Sequence, residues 1–280
     1  MFKCLTCNRQ FIGGDRLRIE EIWHEYLYGK QTLSQLSKKY KKSERTIRRI
    51  LSKVEIQTPA KQIREIVIVM DTTYWGREFG VMLFKDAWTG ENIYKQYVKY
   101  ETVNLYRQGI KNIEELGFKI RAIVCDGRRG LLGGFGEIPT QMCHFHQIAI
   151  ITRYLTRKPR TQASRELRQL GSLLPRTDRE SFEGSLSEWH SRWEKFLNEQ
   201  SIDEITNKRS YVHKRLRSAF KSLKKNLPWL FVSYENLQMR IPQTTNSIDG
   251  QFADLKNKLR VHNGLGITQK IKMIDEFLKA

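Results

Sequence analysis

The run Ile66-Val67-Ile68-Val69-Met70 offers no polar side chain to water on either face. A strand of this kind is buried above and below, which demands a layered α/β arrangement. A second run, Ala122-Ile123-Val124-Cys125, has the same character. Each run is followed at once by an aspartate, Asp71 and Asp126. A third aspartate, Asp249, follows Thr244-Thr245-Asn246-Ser247-Ile248, where a helical pattern begins. Two strand ends and one helix start thus each present a carboxylate.

The neighbouring segments supply the rest of a sheet. Phe79 to Phe84 and Ile93 to Tyr100 read as strands joined by Asp86-Ala87-Trp88-Thr89-Gly90, completing a three-stranded meander. A helix from about Val103 to Leu116 is closed by Gly117, and Ile120 to Cys125 is the fourth strand. After a short helix-like stretch beyond Gly127, Ile138 to Cys143 gives a short fifth strand. The order β-β-β-α-β-α-β predicts an RNase H-like mixed five-stranded sheet with flanking helices. Residues 147–240 predict an all-helical insertion, apart from an ambiguous stretch at Leu230 to Val232. Within it Trp189, Trp193 and Phe196 fall at helical spacing and read as core. From Asn246, a residue able to cap, the last helical pattern has the stripe Ile248, Phe252, Leu255 and Leu259.

The N-terminal part reads differently. Leu17, Ile19, Ile22, Trp23, Tyr26 and Leu27 share one helical face, and Gly29 ends it. A short helix over Gln31 to Tyr40, a turn at Lys41-Lys42, and a helix from Ser43 to about Val54 predict a helix-turn-helix. Ile47, Ile50, Leu51 and Val54 face inward, leaving Arg45, Arg48 and Arg49 free for phosphates and base edges. The competing reading is a plain helical hairpin with a solvated face. Ahead of it, Cys4-x-x-Cys7 followed by Asn8-Arg9-Gln10-Phe11 is half of a zinc-ribbon ligand set. Zn²⁺ at this incomplete site, with His24 as a further ligand, and a metal-free pair both stay open. The expected domains are a partial ribbon at 1–15, the helix-turn-helix at 16–57, and the catalytic unit at 62–280.

The formal charge of +20 points to a polyanionic partner. With 11% aromatic residues the chain can build a core, so the charge does not mean disorder. No apolar run approaches the roughly 20 residues needed to span a bilayer, so no membrane partner is expected. Met1-Phe2-Lys3-Cys4 lacks the pattern of a signal peptide. Cys4, Cys7, Cys125 and Cys143 do not form a secreted disulfide framework, which predicts a cytoplasmic protein.

Three carboxylates on such a scaffold suit two Mg²⁺ or Mn²⁺ ions, because clustered like charges need cations to coexist. Two metals of this kind activate a water or a 3′-hydroxyl and stabilise the leaving oxygen of an in-line displacement. Ala253, Lys256 and Arg260 share the Asp249 face of the last helix by spacing, as suits a bound phosphate chain. The bland alternatives are loop caps for Asp71 and Asp126 and a favourable helix-dipole contact for Asp249. The glycines from Gly127 to Gly136 lack the Gly-Lys-Ser/Thr ending of a P-loop and are expected to let the backbone approach DNA.

Taken in order, six segments resemble bacterial insertion-sequence transposases of the Mutator-like superfamily, in the branch with a zinc-binding N-terminus. They are Phe2-Lys3-Cys4-x-x-Cys7; Gly29 to Leu33 with Arg45 to Arg49; Asp71-Thr72-Thr73-Tyr74; Cys125-Asp126-Gly127-Arg128-Arg129-Gly130-Leu131; Gln141 to His146; and Thr244 to Gly250 with His262-Asn263-Gly264-Leu265. The resemblance implies a DDE-type catalytic domain that cuts and joins DNA. It implies terminal inverted repeats as substrate and an oligomer that pairs two transposon ends in a synaptic complex. A bacterial, nucleoid-associated setting goes with it. It also places Cys143 and His146, the family's C-x-x-H pair, beside the active site, where they orient DNA or support the metal carboxylates. Zinc binding by the pair, or a buried structural Cys143, are the other readings. Two features depart from the family: Asp249 stands where Glu is usual, and half of the ribbon is missing. They keep open a catalytically decayed, transposase-derived DNA-binding protein. A general RNase H-like nuclease is a third reading.

Overall fold

A computed structural model describes residues 2–11, 17–262 and 264–280. Asn263, part of the motif around the third acid, lies outside the described residues, as does Met1. The chain divides into two compact units: Met1–Pro59 with Phe252–Lys279, and Ala60–Gln251 with Ala280. Residues 252–279 thus group with the N-terminal segments.

The first unit opens with a hairpin of β1 (Phe2–Lys3) and β2 (Gln10–Phe11), paired Phe2 to Phe11 and Lys3 to Gln10. Helix α1 (Ile19–Leu27) buries Ile22, Trp23, Tyr26 and Leu27. It is shorter than the expected span, and Leu17 precedes it. Helix α2 (Leu33–Tyr40) begins at a capping box in which Thr32 and Gln35 bond reciprocally. Lys41 takes a left-handed conformation with φ of 49° and ends it. Ser43 then accepts from the Thr46 amide and starts α3 (Glu44–Ser52). Ile47 and Leu51 are buried, and Arg45, Arg48 and Arg49 are exposed. Lys272 caps the far end of α3, donating to the carbonyls of Leu51 at 3.0 Å and Ser52 at 2.8 Å.

The second unit contains the sheet. Its strands are β3 (Glu65–Trp75), β4 (Phe79–Asp86), β5 (Asn92–Val98), β6 (Lys119–Cys125) and β7 (Thr140–Met142). They lie in the order β5-β4-β3-β6-β7. The meander is antiparallel, and β3, β6 and β7 are parallel. This is a mixed α/β fold compatible with an RNase H-like one. Helix α4 (Val103–Glu115) returns the chain between β5 and β6. Ile66, Ile68, Met70 and Ile123 fill one face of the sheet, and Val67, Val69, Ala122 and Val124 the other, all nearly inaccessible. Both faces are buried, as the apolar run requires.

Helices α5 (His144–Leu155), α6 (Gln162–Ser172), α7 (Arg179–Leu197), α8 (Lys214–Leu230) and α9 (Val232–Glu235) follow β7. Trp189 is buried there, donating from Nε1 to the Ala163 carbonyl, and Trp193 and Phe196 pack beside it half-buried. This region is not all helical. Strands β8 (Gln200–Ile202) and β9 (Arg209–Tyr211) form an exposed hairpin around a turn held by Asp203, which accepts from the amides of Ile205 and Thr206. Its short polar strands lack the apolar alternation that would have announced them. Conversely, Leu230 to Val232 is no strand; it joins α8 to α9. The stretch after Gly127 is a series of turns rather than a helix. Helix α10 (Asn246–Val261) crosses the division after Gln251, and α11 (Ile267–Leu278) follows it. Asn246 is its first helical residue, so Thr245 holds the position before it. Among the described residues, no helix is long and apolar enough to cross a membrane.

Helix α4 lies close to the sheet at Gly109, where an added Cβ would fall 2.1 Å from the Phe84 ring. Alanine there would gain about 1 kcal/mol of helix propensity and lose roughly 1–3 kcal/mol to overpacking. The expected outcome for Gly109→Ala is a lower urea midpoint with an unchanged slope. A raised midpoint would mean that the Phe84 ring moves aside without cost.

Candidate active site

The parallel pairing of β3 with β6 sets the geometry. Its last paired position is Val69 opposite Val124, and Asp71 and Asp126 each lie two residues further on. Side chains alternate along a strand, so both carboxylates leave the same face at the same level. Asp126 falls just past the end of β6, but β3 does not end at Asp71 as expected. It runs on to Trp75, because Asp71 and the residues after it pair with β4 instead. Asp71 accepts from the Thr72 amide at 2.8 Å, and Asp126 from the Arg128 amide at 3.1 Å.

Backbone hydrogen bonds bring the other segments to this edge. The Cys143 amide donates to Cys125 at 2.8 Å, placing the start of α5 beside Asp126. The next amide, of His144, donates to Gln243 at 2.9 Å and draws in the chain before α10. The Thr245 hydroxyl reaches the Asp249 carboxylate at 3.3 Å and the Cys143 sulfur at 3.5 Å. Lys85 of β4 holds the first turn of α10 from the sheet, donating to Gln251 at 3.2 Å and to the Ser247 carbonyl at 3.4 Å.

The electrostatics follow from this crowding. Burial pushes the Asp71 carboxyl up to about 7, and the charges of Asp249 and Asp126 add to the shift while His146 opposes it. His146 is raised to about 9, first by its pairing with the Cys143 thiol and further by Asp71 and Asp126. Burial alone would raise Cys143, but His146 and Thr245 outweigh it and the thiol is lowered. The Nδ1 of His146 is buried without a hydrogen-bond partner. Asp71, Asp126, Asp249, Cys143 and His146 therefore form one cluster. The oxygen donors of the three aspartates suit hard divalent cations, and a carboxylate raised by burial beside like charges is one that a cation would relieve. Among the described residues, no three His, Cys, Asp or Glu side chains stand close enough together to hold a metal as they are placed.

One acid was missed in the sequence. Glu101 is only 16% exposed and accepts from the Tyr106 hydroxyl at 2.7 Å. That hydroxyl also meets the Thr72 hydroxyl at 2.9 Å, and Arg128 pairs with Glu101 at 2.8 Å. Thr72, Tyr106, Glu101 and Arg128 thus tie the residue after Asp71 to the loop of Asp126. Burial raises the Glu101 carboxyl, and Asp126 is the largest charge adding to that shift. The signal was available: an up-down-up meander returns the end of its third strand to the edge where the first and fourth end.

The remaining expected residues belong to the first unit. Lys256 and Arg260 are exposed on α10 beyond Gln251, in the first unit. Arg45, Arg48 and Arg49 line one open cleft of about 500 Å³ along α3. Cys4 and Cys7 sit in the turn between β1 and β2, where the Cys4 thiol is lowered to about 7 by hydrogen bonds from Cys7 and Thr6. No third ligand joins them among the described residues, and the His24 ring packs at a tilt against Tyr28, with centroids 5.1 Å apart. The expectation that the Gly127 stretch meets DNA also needs correction at its first residue. A Cβ on Gly127 would fall 2.2 Å from the Met142 side chain, so that glycine is used for packing.

No protein-family model matches the chain, and no curated protein matches it. Among solved structures, the chain is similar to a simian T-cell lymphotropic virus intasome in complex with PP2A regulatory subunit B56 gamma. The identity is 12% and the TM-score 0.24, covering 67% of this chain and 72% of that one.

Two predictions follow from the electrostatics and the network. The folded state holds the Asp71 proton more tightly than the unfolded chain, so its contribution to stability falls as pH rises from about 4 to about 7. In chelator at pH 8, Asp71→Asn should therefore be more stable than the native chain, by on the order of 2 kcal/mol. The gap should close toward pH 4, and added Mn²⁺ should raise the melting temperature of the native chain alone. A variant that melts lower at pH 8 would count against a strained carboxylate. For Glu101→Ala, the same Mn²⁺ titration should show about 10- to 100-fold weaker affinity, with Glu101→Gln intermediate. Equal affinity in all three would remove Glu101 from the support of the site.

Proposed function

We propose that the chain is a DNA transposase of the DDE class, with three aspartates as its acids. It would bind terminal inverted repeats and carry out metal-dependent strand cleavage followed by strand transfer. The observation that supports this most directly is the matched register of Asp71 and Asp126, with Asp249 brought to them by the tethered first turn of α10. The ordered motifs resembling the Mutator-like insertion-sequence transposases supply the specific reaction.

In this reading Asp71, Asp126 and Asp249 hold two Mg²⁺ or Mn²⁺ ions. Bound there, such ions activate the attacking water or 3′-hydroxyl and neutralise the leaving oxygen. The side chains do the rest. The carboxylates fix the approach of the scissile phosphate. His146, raised to about 9 and so charged at neutral pH, offsets their negative charge and offers a donor to a phosphate oxygen. Glu101, Tyr106 and Arg128 keep the two aspartate segments in register. In the first unit, α2 and α3 act as a DNA-binding helix-turn-helix. Arg45, Arg48 and Arg49 read base edges and phosphates of the repeat, and Lys256 and Arg260 add backbone contacts. Cys4 and Cys7 supply half of a Zn²⁺ ligand set. Two copies of the chain pair two ends in the cytoplasm of a bacterial cell.

A second reading is a DNA-binding protein derived from such an enzyme. It is favoured by the shorter Asp249 and by the absence, among the described residues, of three side chains at metal-ligand distance.

One assay separates them: cleavage of a labelled duplex carrying the element's terminal repeat, with and without Mg²⁺ or Mn²⁺. The native chain should leave metal-dependent 3′-hydroxyl ends. Asp71→Ala and Asp126→Ala should each lose about a hundredfold or more in rate while binding the duplex nearly as well. Cleavage by Asp249→Glu alone would identify a decayed copy, and no cleavage by either would leave only DNA binding. Equal cleavage of random duplex would point to a general nuclease.

A further inference from the structure

Between Ile205 and Tyr234 the chain has no Asp or Glu and eight Lys and Arg. Six of these lie on α8: Lys214, Arg215, Arg217, Lys221, Lys224 and Lys225. The two arginines have structural work. Arg215 donates to the Arg153 carbonyl at 2.7 Å, and Arg217 donates to Leu197 and Asn198 while stacking on Tyr211 at 3.7 Å. The four lysines are exposed, and their ammonium groups have no hydrogen-bond or ion-pair partner among the described residues. Lys214, Lys221 and Lys225 fall on one stripe by i, i+7 and i+11 spacing, with Lys224 flanking it.

This arrangement works against the helix. Like charges three and four residues apart, such as Lys221 with Lys224 and Lys225, each cost roughly 0.2–0.5 kcal/mol. No carboxylate on α8 relieves them, whereas the preceding α7 mixes Glu180, Glu183, Glu188 and Glu194 among its cations. A polyanion laid along the stripe would relieve them all at once. The stripe is roughly 16 Å long, the length of about five base-pair steps. The helices that pack on α8 carry a second basic feature: a cleft of about 560 Å³ between α5 and α6, lined by Lys158, Arg165 and Arg168. Among the described residues, none of those three is paired with a carboxylate.

We propose that the exposed face of α8 is a second nucleic-acid surface, which holds a B-form DNA duplex by its phosphates alone. The residue types set it apart from α3. Arginine on α3 can grip a guanine edge with two donors, whereas lysine is a point charge without a planar fork. The α3 face is therefore suited to reading sequence and the α8 face to tolerating any. That is what DNA of arbitrary sequence demands, such as flanking or target duplex. The inference rests on the transposase reading only for the choice of B-form DNA as the occupant.

The test uses the full chain and a 30-base-pair duplex of random sequence, with affinity measured from about 50 to 200 mM salt. Lys221→Gln, Lys224→Gln and Lys225→Gln together should make the log–log salt slope shallower by about 2–3 and weaken binding at 100 mM at least about tenfold. The corresponding triple change to Arg should keep the native slope, and Arg48→Gln with Arg49→Gln should weaken binding to the terminal repeat more than to random duplex. A native slope in the Gln triple overturns the proposal. So does tighter native binding to an A-form RNA duplex that the same triple abolishes, since the occupant would then be RNA. The two readings fail separately. A chain that cuts its ends but keeps its slope in the triple loses only the α8 surface. A chain that never cuts yet loses slope keeps that surface and loses only the transposase reading.

Discussion

The pairing of β3 with β6 governs the second unit. Val67, Val69, Ala122 and Val124 are closed off from water on one side of the sheet, and Ile66, Ile68 and Ile123 on the other. A slip of one residue would turn one strand's share of these side chains to the opposite face. It would also part Asp71 from Asp126, since both take their level from Val69 opposite Val124. The apolar core and the acidic edge are thus set by one register. The same alignment continues into β7, where Cys125 pairs with Met142 and the chain turns at once into α5. That connection brings Cys143 and His146 to the aspartates, and the bond from the Cys143 amide to the Cys125 carbonyl holds them there.

Bringing these groups together has an electrostatic cost, and the surroundings limit it. Asp71 sits in a dehydrated position among other acids, which is why its carboxyl is pushed up to about 7. The nearby cation of His146 meets part of the negative charge. Glu101 would add to the strain, yet it is turned to use by accepting from Tyr106 and pairing with Arg128. An acid so held is more valuable for stiffness than for charge: it ties two separate strand ends through one buried hydroxyl.

The residues differ in how legible they were. Ile66 to Met70 announced a doubly buried strand because five apolar residues in a row leave no other placement, and Ile120 to Cys125 did nearly the same. The end of β3 was misjudged, since antiparallel pairing with β4 continues after the parallel partner stops, and nothing in Asp71-Thr72-Thr73-Tyr74 marks that change. Asp71 and Asp126 could be found because each follows an apolar run. Glu101 could not be found by that rule, because it stands in a polar loop and matters only through where the meander returns. The β8–β9 hairpin was invisible for a different reason. Its strands are exposed on both faces, so no burial pattern is written into them, and a local Asp203 turn holds it instead. Helix α8 was legible as helix, but the idleness of its lysines appears only when the partners of Arg215 and Arg217 are seen.

The start of α10 shows how placement can compensate for side-chain length. Asp249 has one methylene fewer than a glutamate, so in the proposed site its helix must come closer to the strand ends for the carboxylate to reach them. Several contacts draw α10 that way. His144 pulls in Gln243, the Cys143 sulfur accepts from the Thr245 amide, and Lys85 holds Ser247 and Gln251 from the sheet. All of them act on the residues around the first turn, where a small shift of the backbone moves Asp249 directly. Lys85 loses hydration to do this, and its ammonium is lowered by that burial. The short side chain and the tight tether belong together. A glutamate at position 249 would meet a helix start already drawn in, so its extra reach would have to be taken up by bending the side chain or by releasing Lys85.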